Sequence, residues 1–403
     1  MKNFLTIAIL FLCFIACNSS QPKSISSGES VQIDANPAEC PYITNDNNGN
    51  TVISWVRMIN DSVTALCYAK SGDGKTFSSP IVIPNSGNIQ PHGENMPKII
   101  FKPSGEILAL WGAANPNPKN KYSGIVFYTQ SFDNGGSWTP ARPLVSDTAS
   151  YDQRYYDVAL MPDGEAGIIW LDNRKSTKKE GSALYFSTTK GKNGFDQGRL
   201  IAEQCCQCCR TDLYVDKKGG IHALFRGVIE DSIRDMVHIV SNDRGKSFST
   251  PKRISDDNWV IKGCPHTGPA MTENNDGIHF AWFTGGKNKG CYYTKSIDNG
   301  QTFTMRDTIS SLGTHPQLAS MSDGELLIVW DEAYMKDNKL NKLIGMQRRN
   351  AEGNPEGKEY ITNGNILASY PVIGAVNDSS SIVAYLTKKG EKNFVAYQVL
   401  KLK

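Results

Sequence analysis

Apolar and polar positions along this chain alternate in short runs. They do not recur at the three-to-four-residue spacing of an amphipathic helix, so the pattern predicts strands throughout. One arrangement appears seven times: a short β-rich run, often opened by Pro, then a Gly/Asp/Asn turn, then an apolar strand ending in an aromatic. The copies are PYITNDNNGNTVISW, PKIIFKPSGEILALW, DVALMPDGEAGIIW, DLYVDKKGGIHALF, PAMTENNDGIHFAW, PQLASMSDGELLIVW and PVIGAVNDSSSIVAY. Their closing aromatics, Trp55, Trp111, Trp170, Phe225, Trp282, Trp330 and Tyr385, stand 48 to 59 residues apart. Two strands joined by a turn of this chemistry make a hairpin.

A third β-rich run follows each hairpin, for example GIVFYTQ, MVHIVS and GCYYTK. After most of these comes an octet, Ser-x-Asp-x-Gly-x-Ser/Thr-aromatic. It is complete at Ser131/Asp133/Gly135/Trp138, Ser241/Asp243/Gly245/Phe248 and Ser296/Asp298/Gly300/Phe303, and degenerate at 70–77 and 188–195. The Asp is suited to accept backbone N–H bonds, and the Gly to take backbone angles other residues avoid. Asp133, Asp243 and Asp298 therefore read as structural. A fourth run (ARPLV, PKRIS, RDTIS) completes each unit. Four antiparallel strands repeated seven times predict an all-β, seven-bladed β-propeller. The last copy has three strands, and Val31-Gln32-Ile33-Asp34 is expected to supply its fourth, closing the ring and removing an open edge.

The 403 residues are 39% hydrophobic, enough for a large core. A net charge of +3, with no basic patch interleaved with aromatics, argues against a nucleic-acid partner. There is no P-loop and no dinucleotide-binding glycine fingerprint. At the N-terminus Lys2 precedes an apolar run, Phe4 to Phe14, too short to span a bilayer. It ends in Phe14-Ile15-Ala16-Cys17, which resembles a lipobox; an ordinary signal peptide with Cys17 as a bystander is the other reading. The resemblance implies a lipoprotein signal over 1–17, a lipid anchor on Cys17 and an extracytoplasmic, membrane-anchored bacterial lipoprotein. Residues 18–30 are Ser-rich and read as a flexible tether, leaving 31–403 for the propeller.

Strand direction separates two faces. The Gly/Asp turns and the octets share one. The segments before each inner strand gather on the other, around the central channel, and they are chemically rich. They hold Glu39-Cys40, His92 to Asn95, Tyr151-Asp152-Gln153-Arg154-Tyr155-Tyr156, Cys205-Cys206-Gln207-Cys208-Cys209-Arg210, Cys264-Pro265-His266, Thr314-His315 and Ser369-Tyr370. The second-to-third strand loops add Asp172-Asn173-Arg174, Arg226, Arg234 and Asp331-Glu332. If Tyr155 and Tyr156 are extended, at most one lines the channel. His92 and His315 are candidates for ligand or acid/base roles. His222, His279 and His238 fall within strands and read as structural.

Cys205, Cys206, Cys208 and Cys209, with Cys264 and His266 one blade later, form a thiolate–imidazole set of the kind Zn or Cu prefers. A disulfide knot joining Cys206 or Cys209 to Cys264 is the alternative in an oxidising compartment, and a reactive thiol a third. Cys67 and Cys291 lie in third strands and read as buried thiols.

The octets resemble the Asp-box (BNR repeat) of sialidases and related propellers. That resemblance implies a glycoside hydrolase acting on an anionic glycan. Such enzymes grip a carboxylate with arginines and use a Tyr nucleophile assisted by Glu, with an Asp acid/base. Arg154, Arg174, Arg210, Arg226 and Arg234, with Tyr370, Glu332 and Asp152, supply those residue types. Seven blades with channel-facing His, Tyr and Arg also resemble polysaccharide lyases that cleave ulvan. There a Tyr/His pair handles the proton α to a uronate carboxylate; His92, Tyr151, Tyr155, Tyr156, Arg154 and Arg210 are the corresponding types. A non-catalytic, metal-binding propeller is a third reading. Substrate identity and oligomeric state are not encoded in any pattern found.

Overall fold

Every repeat folds as its period requires. In the computed structural model, which describes residues 25–118, 120–146, 152–174, 180–336, 338–364, 366–377 and 379–402, seven antiparallel sheets follow one another along the chain. The segment 1–17, with the anchor expected at Cys17, lies outside the described residues, as does Tyr151. The inner strands, in blade order, are Ala38–Asn45, Lys98–Phe101, Gln153–Leu160, Asp212–Val215, Ala270–Glu273, Gly313–Ser320 and Ala368–Asn377. Each is followed by two further strands and, in the first six blades, an outer strand as short as two residues, such as Ile81–Val82. Among the described residues, helix is confined to one 3-10 turn, Gly191–Asn193.

The seventh blade closes the ring. Val31–Gln32 pairs antiparallel with Ala396–Tyr397, and Ile25–Ser27 pairs with Leu400–Leu402. The second pairing falls inside the stretch expected as a tether, so ordered structure begins before residue 31. Closing the ring between the two ends of the described chain leaves no blade unpaired.

The repeated aromatic is the centre of each blade. Trp55, Trp111, Trp170, Trp282 and Trp330 are fully buried. Burying a Trp removes about 150–250 Å² from water, worth about 4–6 kcal/mol. A buried indole N–H needs an acceptor, and each has one: Asp34, Asn88, Asp172, Asp257 and Glu332, at 2.7–3.1 Å.

The octets are turns on the far face. Ser131 Oγ donates to Asp133 Oδ1 at 2.8 Å and accepts from Gly135 N at 2.8 Å, while Ser137 N and Oγ both donate to Asp133. The same pattern holds around Asp243 and Asp298. The fourth residue after each octet serine needs φ near +75° to +93°, which Gly supplies at positions 135, 245 and 300.

Candidate functional site

The channel-facing segments carry a repeated distortion. Inner strands of blades 1, 3, 6 and 7 slip register at Glu39/Tyr42, Arg154/Asp157, Thr314/Gln317 and Ser369/Val372. Within each slip one residue has positive φ: Cys40 (54°), Tyr155 (53°), His315 (51°) and Tyr370 (51°), and His266 (49°) does the same before the inner strand of blade 5. Such angles are uncommon for non-glycine residues and costly for bulky ones. Cys40, His315 and Tyr370 also precede Pro, which favours extended backbone instead. A bulge re-aims its side chain, and these turn Tyr155, His266, His315 and Tyr370 toward the channel mouth. Tyr156 points the other way, its hydroxyl donating to Met96 O and Leu110 O at 3.2 Å.

Two groups result. The first lines a cavity of about 530 Å³ whose walls include His92, Asn95, Tyr122, Arg154, Tyr155, Cys208, Cys264 and His266. The rings of His92 and Tyr155 meet edge-on at 5.9 Å, and those of His92 and His266 lie 5.5 Å apart. Tyr155 Oη is 3.5 Å from His266 Nδ1. Asn95 Oδ1 accepts Tyr155 N at 2.8 Å and fixes that backbone. His92 Nδ1 accepts Glu94 N at 3.1 Å, so its proton sits on Nε2. Burial, with His266, Arg154 and His315 nearby, pushes His92 down to about 4, leaving it neutral at neutral pH. Burial raises the Tyr155 phenol well above its ordinary value despite Arg154, so it holds its proton. Arg154 is clamped by Asp152, Nε and Nη2 at 2.7 and 2.8 Å, and Nη1 takes no part in that pair. Asp152 is thereby a positioning residue, buried and also accepting from Gly124 N and Asn120.

The second group lies beyond Gly93. His315 Nδ1 is 2.9 Å from Asp331 Oδ1, Thr314 Oγ1 also donates to Asp331, and Tyr370 N donates to Asp331 Oδ2 at 2.9 Å. The rings of His315 and Tyr370 overlap at 4.2 Å. Burial opposes a charge on His315, but the Asp331 carboxylate outweighs it and holds the imidazole above its ordinary value. Burial raises the Tyr370 hydroxyl to about 12. A Cβ at position 93 would come 2.5 Å from the Tyr370 ring, so glycine is what lets this group approach His92.

The sialidase-type constellation does not assemble. Arg210 is buried and spent on Glu94 Oε1 (2.9 Å) and the carbonyls of Gly268, Pro269 and Pro316. Arg226 is buried and donates to Cys209 Sγ and to the carbonyls of Arg234, Thr267 and Phe283. Arg174 folds back on Asp172 and stacks over Tyr185 at 4.2 Å. Glu332 accepts from Trp330, Ser310 and Tyr360, which makes it a blade tie rather than a partner for Tyr370. Each of these four side chains is thus held by partners of its own.

The cysteines divide. Cys206, Cys208 and Cys209 bring their sulfurs within 4.8 Å of one another, with Cys206 3.7 Å from Cys208 and 4.0 Å from Cys209. Cys205 turns away toward Glu203 O, and Cys264 is exposed. All eight described cysteines are free thiols, so the knot from Cys206 or Cys209 to Cys264 is not formed. Burial works against charge on Cys209, but hydrogen bonds with Cys206 and Cys208 and the Arg226 guanidinium outweigh it and hold that thiol well below its usual value. Three clustered sulfurs can hold a soft metal.

Sequence reasoning missed Glu94 and Asn95 as the supports of Arg210 and Tyr155. It also missed the Lys98–Asp157 pair (2.9 Å) and the neighbouring Asp212 carboxyl, raised by burial beside Asp157, that fill the channel below. The residue-Pro steps at Cys40-Pro41, His315-Pro316 and Tyr370-Pro371 mark three of the bulges but not these supports.

The fold defines the class: a closed seven-bladed propeller with a polar pocket on its channel face. No family model and no curated protein matches the chain. Similar solved structures include a protein of unknown function from Dyadobacter fermentans (16% identity, 94% of this chain and 99% of that one, TM-score 0.50). They also include polysaccharide lyase Uly1 (11%, 92% and 91%, TM-score 0.55). A third is an ulvan lyase bound to -[GlcA(1-4)Rha3S]- (11%, 92% and 95%, TM-score 0.54). Sialidases are among the similar structures too. At these identities the likeness establishes the fold.

Proposed function

We propose that this propeller acts on an anionic polysaccharide as a uronate-directed lyase rather than a sialidase-type hydrolase. One observation carries the reading: among the described residues, the cavity that unites His92, Tyr155, His266 and Arg154 has no carboxylate in its lining. Glycoside hydrolysis calls for carboxylates flanking the bond, or a Glu behind a Tyr nucleophile. Elimination needs a base, an acid and a partner for the uronate carboxylate. The Nε2–H of His92 and the Nη1 edge of Arg154 suit the carboxylate. The His266 imidazole takes the proton α to it, the C4–C5 double bond forms, the C4–O bond breaks, and the Tyr155 hydroxyl protonates the leaving oxygen. Polysaccharide lyases among the structural neighbours agree with this chemistry. Uronate glycans, ulvan included, are offered to the protein and the ultraviolet absorbance of unsaturated uronide followed. Turnover of a fluorogenic sialoside without that absorbance would restore the hydrolase; silence in both assays would end the enzyme reading.

A metal at the cysteines is compatible with this function and rests on its own observation. Tetrahedral zinc with Zn–S bonds of 2.3 Å sets sulfurs about 3.8 Å apart, and Cys206 stands 3.7 and 4.0 Å from its two neighbours. Cys206, Cys208 and Cys209 would hold Zn or Cu(I), stiffening the loop that carries Cys208 into the cavity. Elemental analysis of purified protein tests it, and mass-mapped disulfides at these positions would remove it. Lipidation at Cys17 belongs to the same proposal, and metabolic labelling with a fatty acid tests it.

A further inference from the structure

Beside the cavity of His92 and Tyr155 lies a second, of about 550 Å³. The two share Gln207, Cys208 and Cys264 in their walls, so they adjoin along the cysteine loop. Among the described residues the second cavity is lined by two cations, Arg234 and Lys262, and two acids, Glu180 and Asp231. Asp231 accepts Gln204 Nε2 at 3.2 Å. Arg234 is the unusual member. Its side chain is only 9% exposed, and its backbone is fixed at both ends, N donating to Trp259 O and O accepting Arg226 Nη1, each at 2.8 Å. Nη2 reaches Glu180 Oε1 at a long 3.3 Å, while Nε and Nη1 are buried without any partner. A buried guanidinium with unmet donors is costly, and evolution or chance would normally provide carbonyls, as it has for Arg226 and Arg210. Glu180, half exposed, is a poor substitute.

We propose that Arg234, with Lys262 beside it, is an oxyanion subsite of the glycan groove, taking a carboxylate or sulfate ester on a sugar next to the one held at Tyr155. Glu180 occupies that subsite in the unliganded protein and swings out when the substrate anion arrives. A planar fork with unpartnered donors, uncovered once Glu180 leaves, matches either oxyanion, and Lys262 adds charge at the mouth. The idea rests on the polysaccharide reading but is measured without turnover.

The test is calorimetric titration of the whole protein with sodium sulfate and with sodium glucuronate, against chloride at equal ionic strength. The stronger of the two ligands names the ester or the carboxylate. Glu180→Gln removes the competing acid and should tighten that binding roughly two- to fivefold, the range an exposed ion pair is worth. Arg234→Gln should abolish it. Should Arg234→Gln not fold, Glu180→Gln decides alone, because Glu180 is exposed and carries no structural load. Binding that Glu180→Gln leaves unchanged or weakens, no saturable binding by either ligand, or full binding by folded Arg234→Gln each overturns the proposal. Anion binding that behaves as expected while no glycan yields unsaturated product would instead fault the lyase chemistry and leave this subsite standing.

Discussion

Replacing Glu94 by Gln should damage this protein more than any other single-atom change near the channel. Glu94 is fully buried, and its two oxygens accept from Arg210 Nη1 at 2.9 Å and from Gly268 N at 2.5 Å. Gln keeps the shape but not the charge, and one end of its amide presents a donor to a donor. Arg210 would keep three backbone carbonyls, at 2.9–3.3 Å, but lose its counter-ion in the interior. Removing one partner of a buried ion pair costs about 3–5 kcal/mol. Equilibrium urea unfolding, followed by fluorescence of the buried tryptophans, measures it. The double variant Glu94→Gln/Arg210→Met discards both charges and should recover a coupling of about 2 kcal/mol or more. Turnover should fall in the single variant as well, because Glu94 N orients His92. A loss below about 1 kcal/mol, the value of an exposed pair, would show that Glu94 and Arg210 are solvated and that the tie across blades 2, 4, 5 and 6 is not what shapes the pocket.

Three other outcomes are expected. Tyr155→Phe should leave the fold intact and lower lyase turnover about 10²–10⁴-fold, the contribution of a positioned acid; an unchanged rate of uronide formation removes Tyr155 from the mechanism. Acid should destabilise the protein in two stages. Burial pushes His238 down to about 3 and His279 to about 4, from an ordinary 6.5. Because the folded values are depressed, that stabilisation is complete above 6.5 and is lost as pH falls below it. Side-chain and backbone donors hold Asp133 and Asp298 near 2 against an ordinary 3.8, so their contribution disappears as pH falls from 3.8 toward 2. A melting temperature constant between pH 6.5 and 4 would contradict the first stage. Finally, Cys209→Ser should lower bound zinc or copper, measured by elemental analysis, while Cys205→Ser should not, since Cys205 faces away from the other sulfurs; equal loss in both would mean the ligand set is wrong.

How far the site was legible can be followed residue by residue. His92, Arg154, Tyr155, His266 and Cys208 sit on the face that strand direction assigned to them, and they meet in one cavity. Arg210, Arg226, Arg174 and Glu332 sit on the same face and do something else. For Arg210 and Arg226, nothing in their spacing separates a guanidinium with an open edge from one surrounded by carbonyls, because carbonyls come from other blades, such as Phe283 O for Arg226 and Pro316 O for Arg210, whereas Arg174 and Glu332 are tied to Asp172 and Trp330 two residues away. The six-member Cys/His set shrank to three because Cys205 still belongs to the strand Arg199–Cys205 and turns toward Glu203 O, while the turn after it brings Cys206, Cys208 and Cys209 together and leaves Cys264 exposed.

The repeat itself was decided by the sequence. A strand buries one residue in two, a blade needs one large aromatic per hairpin, and an octet turn needs Asp and Gly at fixed offsets; these are local demands, so they leave a periodic trace. That is why seven blades, their order, the structural role of Asp133, Asp243 and Asp298 and the closing segment Val31–Gln32 could be written down in advance. The pocket was decided only in three dimensions. Which polar groups remain open after burial depends on partners brought by the ring from distant blades, and on positive-φ bulges that chain-local propensity disfavours at Tyr155, His315 and Tyr370. Local physics fixed the wheel, while non-local satisfaction of buried charge chose which side chains were left free to act.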